Sequence, residues 1–343
     1  MDNNTRIVKE SKNRIRAEFE RTPLIDRLRS KFLNLYTIQR VAWYAFRFLF
    51  LLGISYVILF PFFSKISSSF MSGEDFVDVT VRLLPKNPTL ETYAAVIKHN
   101  GYFEALFNSF ILSLVCGIAQ TFICCLIGYG FAKFKFKFNS LLFALVIFTM
   151  VVPHSTLQLS MFMEFRFFDV LGICKLLNHF GVIEEATISL LNTNIPLYIL
   201  SFTGLAYKNG LFIFLMRQFF RGIPDELEES AYLDGSGVFS TYVRIILPLS
   251  VTMMVTVFMF SFCWQWTDNF YTNMFYTSAG PYLLPDIVKV PKGLIDNYGA
   301  ASNYFSAAAR NACGILILIP LIILYLFGQR YIVEGIERSG ITG

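Results

Sequence analysis

Long uncharged stretches alternate with short charged ones along this chain. A helix crossing a bilayer needs about 20 mostly apolar residues, and six stretches reach or approach that length. They cover residues 48–64 (with an apolar lead-in over 41–47), 105–132, 138–163, 186–216, 245–267 and 312–328. The fourth is interrupted: it runs over 186–207, through Lys208-Asn209-Gly210, and on over 211–216. The pattern predicts an all-α membrane protein with six transmembrane helices.

Lys and Arg set the orientation, because they gather on the cytoplasmic side of membrane proteins. With the N-terminus inside, the inner segments 1–47, 133–137, 217–244 and 330–343 hold 19 of the 29 Lys and Arg residues. The outer segments 65–104, 164–185 and 268–310 hold nine, and Lys208 stays in the membrane. Both termini are therefore expected in the cytoplasm. Lys133, Lys135 and Lys137, between the second and third stretches, agree with the long basic N-terminus.

That N-terminus is polar and no apolar run precedes it, so no cleavable signal peptide is expected. Ile25, Leu28 and Phe32 fit helical spacing. A helix lying in the inner interface and a mobile basic tail both fit the segment. The chain divides on this reading into a basic segment 1–40, a membrane body 41–335 and a short tail 336–343.

The connection over 217–244 departs from the charge trend. It carries five acids, Asp225, Glu226, Glu228, Glu229 and Asp234, against Arg217, Arg221 and Arg244. Its local chemistry predicts a short helix from about Pro224 to Asp234. Proline suits the first helical position, acids favour the positive N-terminal end, and Gly235 suits the left-handed position past the C-terminus. Leu227 and Ala231 line one side of it, and a second turn is expected over 238–243. So short a helix is unstable alone in water, so it must dock on its own spans or on another protein.

Composition agrees with a membrane chain. Charged residues make up 15% and hydrophobic residues 55%, where a soluble domain carries about 25% charged. The 38 Phe need be no more than lipid-facing side chains. Five of the six cysteines (Cys116, Cys124, Cys125, Cys263, Cys313) lie in apolar runs and Cys174 in a loop, with no Cys-x-x-Cys spacing. They read as small hydrophobes. Three histidines, His99, His154 and His179, offer no metal site. No phosphate-binding Gly-x-x-x-x-Gly-Lys-Ser/Thr motif occurs, so the chain has no means of hydrolysing ATP.

Residues 229–248 read Glu229-Ser230-Ala231, three residues, Gly235, nine residues, Ile245-Ile246-Leu247-Pro248. This resembles the Glu-Ala-Ala loop of bacterial ATP-binding-cassette (ABC) importer permeases, with Ser230 in place of an alanine. Ile223-Pro224-Asp225-Glu226-Leu227-Glu228-Glu229 is similar to the carbohydrate subfamily typified by the maltose-transporter G-type permease. Asn108-Ser109, Tyr129-Gly130-Phe131-Ala132-Lys133-Phe134, Val151-Val152-Pro153 and Gln329-Arg330-Tyr331 extend the resemblance over about 84–343. The long N-terminus, the segment 174–194 and Trp266-Thr267-Asp268-Asn269-Phe270 depart from the family pattern.

The resemblance implies a type I ABC importer permease fold with a cytoplasmic coupling helix in the loop 222–248. It implies a bacterial cytoplasmic membrane and a role as half of the translocation pathway for a sugar or oligosaccharide. Its implied partners are a second, F-type permease, two ABC ATPase subunits that bind ATP and Mg, and an extracellular solute-binding protein. Lipid surrounds the spans, no nucleic acid is involved, and the chain itself takes no cofactor. Glu229, Ala231 and Gly235 become the docking core, with Ser230, Leu233, Asp234, Ile245, Leu247 and Pro248 completing the coupling segment.

Polar residues inside a membrane are candidate functional sites. Lys208, with Asn209, lines a pore or gate on one reading; on another it snorkels or pairs with an acid from a partner subunit. Trp266 and Asp268, in a cluster with Trp264, Gln265, Asn269 and Tyr271, line an outer vestibule or belong to an interfacial aromatic belt. His154, after Pro153, reads as a satisfied structural histidine. The outer loop 268–310, with Tyr282, Pro285, Lys289, Lys292 and Asn297, is long enough to meet a docked protein. A non-sugar ABC permease and a secondary transporter are the competing functions. The second would need intramembrane acids for ion coupling, and the spans contain none apart from Asp268 at an edge.

Overall fold

The computed structural model describes residues 35–169, 172–180, 187–206, 208–278, 280–291 and 302–338. The expected interfacial helix before residue 35, the end of the tail, residues 181–186 of the segment 174–194, Tyr207, Lys292 and Asn297 lie outside them. The described residues are helical, apart from loops and one isolated bridge between Phe168 and Ile188. The chain divides into two compact units, Met1–Ser64 and Lys65–Gly343. That boundary cuts the predicted membrane body 41–335, because it falls inside the first long helix.

The helices in order are α1 (Leu35–Ser69), α2 (Gly73–Val77), α3 (Glu91–His99), α4 (Tyr102–Lys133), α5 (Asn139–Val151), α6 (His154–Arg166) and α7 (Ile173–His179). They continue as α8 (Ile195–Thr203), α9 (Asn209–Arg221), α10 (Glu226–Leu233), α11 (Val238–Leu249), α12 (Val251–Trp266), α13 (Phe270–Phe275) and α14 (Ser302–Arg338). A 3-10 turn over Leu284–Ile287 precedes α14. In the first unit, the described side chains from 39 to 63 are exposed all round the helix. A helix apolar on every side is at home in lipid or against other apolar helices.

Among the described residues three helices are long and apolar enough to cross a membrane alone, over Gln39–Ser69, Tyr102–Lys133 and Ser306–Gly335. Two bent pairs raise the count to at most five: α5 with α6 at 100°, and α11 with α12 at 74°. The fourth predicted stretch appears as α8 and α9, of nine and 13 residues, neither long enough alone. Gly204 ends α8 at φ 78°, a left-handed conformation that glycine adopts without strain.

Each break has a local cause. Pro153 lacks an N–H and pushes Val152 to an extended conformation (φ −67°, ψ 121°), which ends α5. The two helices on either side of it meet at 100°. In α11 a π-helical turn over Tyr242–Ile246 fits one extra residue into the turn. Ser250 follows, its hydroxyl turned back to the Leu247 carbonyl at 2.8 Å.

In the second unit α4 is the central post, packed against α8, α9 and α12. Its Lys133 end meets Phe212, Met216 and Phe220 of α9 and Tyr242 and Ile246 of α11. Its other end meets Phe262 and Trp266 of α12 and Leu284 and Ile287. Gly128 makes the α4–α9 contact possible: a Cβ there would stand 2.6 Å from the Met216 Cβ and 3.0 Å from the Arg217 nitrogen.

Candidate functional site

The connection after α9 folds as sequence chemistry predicts. Pro224 and Asp225 lead into α10, and Gly235 takes φ 82° just past its end. The Ser236 N–H donates to the Ala231 carbonyl at 2.9 Å and the Gly235 N–H to the Tyr232 carbonyl at 3.0 Å. These are the paired bonds that close a helix through a left-handed residue.

The helix is fastened to the end of α4. Lys133 Nζ donates to the Ile223 carbonyl at 2.6 Å and to Asp225 Oδ1 at 2.5 Å. It also stands 3.6 Å from Glu228 Oε1. Tyr129 OH donates to Glu228 Oε2 at 3.2 Å. The Lys133 and Glu228 side chains are 7% and 9% exposed, so this is a buried ion pair. Through that hydrogen bond first, and then its charge, Lys133 holds the Asp225 carboxyl below the usual aspartate range. The Tyr129 ring packs on Tyr242 at 4.8 Å between centroids.

The other face of the loop is open. Leu233 is 89% and Phe239 76% exposed, with Leu227, Tyr232 and Val238 also exposed. Glu226, Glu229, Ser230, Asp234 and Gly235 lie exposed around them. Ala231 turns the opposite way and is buried. Ile245 and Leu247 pack half-buried against the core cluster, and Pro248 is exposed. The fixed positions of the loop thus divide into an outward set (Glu229, Ser230, Leu233, Asp234, Gly235, Pro248) and an inward set (Ala231, Ile245, Leu247).

The intramembrane candidates separate as well. Lys208 Nζ sits 5.1 Å from the centroid of the Trp264 ring, a cation–π arrangement. Lys208, Trp264, Gln120, Ser201, Gln265 and Asp268 share the lining of a cavity of about 30 Å³. That volume is enough for water. The Asp268 carboxylate caps α13, accepting from the N–H groups of Phe270, Tyr271 and Thr272 at 3.2, 3.3 and 2.9 Å. Tyr271 OH pairs with His154 Nδ1 at 2.8 Å, giving that histidine a hydrogen-bond partner.

Trp266 is not on that lining. It is 1% exposed, packs on Phe262, and donates from Nε1 to the Ile317 carbonyl at 3.1 Å. Asn209 is also buried, and its side-chain oxygen and nitrogen have no hydrogen-bond partner among the described residues. Both side chains are enclosed within this chain, where the sequence left Asn209 open to a pore or gate and Trp266 to a vestibule or an interfacial belt. Both are held in the core by helix phase, which the uniformly apolar stretches conceal. Among the described residues no three His, Cys, Asp or Glu side chains converge as metal ligands.

A family model described as "Binding-protein-dependent transport system inner membrane component" matches residues 125–338. The chain belongs to that family. It is a membrane permease component of a transport system that works with a solute-binding protein. The inner membrane ABC transporter permease protein YcjP of Escherichia coli (strain K12) is 25% identical over 312 residues, 90% of this chain and 99% of that protein. The arabinooligosaccharides transport system permease protein AraQ of Bacillus subtilis (strain 168) is 26% identical over 298 residues, covering 86% and 94%. A chain of a bacterial ABC transporter involved in import of the acidic polysaccharide alginate has the same fold, with a TM-score of 0.61 and 18% identity, covering 91% and 99%.

Within the permease, sequence reasoning missed the residues that seat the loop: Tyr129, Lys133 and Glu228. A signal was present. Tyr129 and Lys133 stand four apart, on one face of α4, and Glu228 stands one helical turn after Pro224 among acids that otherwise face outward.

Proposed function

We propose that this permease forms half of the translocation pathway of an ABC importer for a sugar or oligosaccharide. In this reading it crosses the membrane six times, with α8 and α9 together forming a broken fourth span and both termini inside. The loop 222–248 is its coupling segment. The observation that carries the reading is the two-sided build of α10. One face is bolted to α4 through Lys133 and Glu228, and the other presents Leu233 among the exposed Glu226, Glu229 and Asp234, with Phe239 exposed on the following helix α11. An exposed apolar patch rimmed by charge marks a protein-binding surface.

The partner at that surface is an ABC ATPase subunit, which binds the ATP and Mg that this chain has no motif to hold. Glu229 supplies a charged handle, Leu233 and Asp234 the contact, and Gly235 the turn that aims them. A second, F-type permease supplies the other half of the pathway, and a solute-binding protein docks outside near the outer loop. Lys208 and Asp268 line the pathway on this chain's side. The sugar assignment is supported by the printed roles of relatives such as the arabinooligosaccharide permease. The test is co-purification of the solubilised complex, wild type against Glu229→Ala and Gly235→Pro. An ATPase subunit that comes with the wild type and is lost from the variants supports the reading. Its absence from the wild type removes it.

A further inference from the structure

Of the three acids in the first turns of α10, Glu226 and Glu229 are exposed and Glu228 is buried. A carboxylate buried against one cation fixes position more than it adds stability, since desolvation offsets much of the attraction. Its two oxygens go to two different partners on one rigid helix. Oε2 accepts from Tyr129, and Oε1 faces Lys133 one helical turn further on. Two attachments a turn apart resist both sliding and rotation of α10 against α4.

The path continues inward. The Tyr129 ring lies on Tyr242, which opens the π-helical turn of α11. Tyr242 OH donates to Cys125 Sγ at 3.4 Å, one turn back along α4. Cys125 Sγ stands 4.0 Å from the hydroxyl of Ser250, the residue at the 74° joint between α11 and α12. Tyr129, Tyr242, Ile246 and Met253 belong to one buried cluster, and close-packed interiors transmit displacement rather than absorb it.

We propose that Glu228 is the positioning residue that carries movement of α10 into the transmembrane core. It acts through Lys133 and Tyr129 on Tyr242, and the π turn and the Ser250 joint are the parts that yield. This rests on the coupling role given to α10 above. Glu228 touches no nucleotide and no transported solute. Glu229, beside it, meets the ATPase, while Glu228 passes the motion on. The π turn matters because it departs from the regular helix and itself carries Tyr242 of the tyrosine pair.

The test uses the complete complex in proteoliposomes, trapped with ATP and orthovanadate. A fluorophore on Phe103→Cys reports the far end of α4, where that side chain is exposed. Glu228→Gln keeps the size of the side chain and removes its charge, and Tyr129→Phe removes only one hydroxyl. In both, vanadate-trapped nucleotide per complex should match wild type, while the fluorophore response falls at least fivefold. An undiminished response in both variants overturns the proposal. So does loss of nucleotide trapping in step with the response, which would make Glu228 a structural support of the docked helix. A wild type that traps no nucleotide overturns the coupling reading first, and this inference with it.

Discussion

Ala231 and Leu233, two positions apart, lie on opposite faces of α10: Ala231 is 6% exposed and Leu233 is 89% exposed. The first is packed inward and the second stands free, so substitutions at the two sites separate folding of the loop from recognition. Leu233→Asp should leave the permease folded, because nothing packs there. Capture of the ATPase should weaken about tenfold or more, equal to about 1.4 kcal/mol. Ala231→Leu should instead overpack the inner face, at about 1–3 kcal/mol. Binding to immobilised ATPase and limited proteolysis of the loop would separate the two.

Among the described residues, none beyond its own chain neighbours comes within 4 Å of where a Gly235 Cβ would lie, and its φ is 82°. The cost of Gly235→Ala is therefore conformational, about 1–2 kcal/mol for a residue forced left-handed. Gly235→Asn should cost less, because asparagine tolerates that region better. Amide hydrogen exchange in α10 should accelerate by about tenfold in the alanine variant and less in the asparagine variant, on the scale of 1.4 kcal/mol per decade.

Trp264 and Trp266 should behave as different residues despite their adjacency. Trp266 is enclosed and hydrogen-bonded to Ile317, so Trp266→Ala should lose about 3–5 kcal/mol, as large-to-small core changes do. Trp264 is partly exposed beneath Lys208, and Trp264→Ala should be far milder in stability. Thermal unfolding of the two purified variants decides the ordering.

Acid should loosen the loop. Asp225 is held below its usual value of 3.8 chiefly by the hydrogen bond from Lys133. A carboxylate with a lowered folded pKa contributes stability that is present above the unfolded value and lost as pH falls through the folded one. Its contribution to the attachment of α10 to α4 is then constant from pH 8 to about pH 5, and fades below about pH 4. Hydrogen exchange of α10, corrected for intrinsic rates, should show that fade in wild type and a smaller one in Asp225→Asn.

Much of this was legible in the chain. Uninterrupted apolar length was enough to place α1, α4 and α14, and Pro224, the acids and Gly235 were enough to place α10 and its turn. Lys208-Asn209-Gly210 marked the break before α9. Side-chain direction was not legible, because lipid and protein core are both apolar, so a membrane helix shows weak periodicity. Trp266 and Asn209 could not be recognised as core residues on that basis. Nor could Glu228 be told from Glu229, since its burial depends on Tyr129 and Lys133, about a hundred positions earlier. Pro153 ends α5 locally, but nothing in the residues around it states the angle of 100°.

The central claim is that the outward face of α10 meets an ATPase subunit. A photo-crosslinking amino acid at position 233 in the assembled complex, with a control at the exposed Phe107 of α4, tests it most directly. The account predicts a covalent adduct between residue 233 and the ATPase polypeptide, and none from residue 107. An adduct confined to this chain or to the solute-binding protein, or no adduct in a complex that hydrolyses ATP, would contradict it.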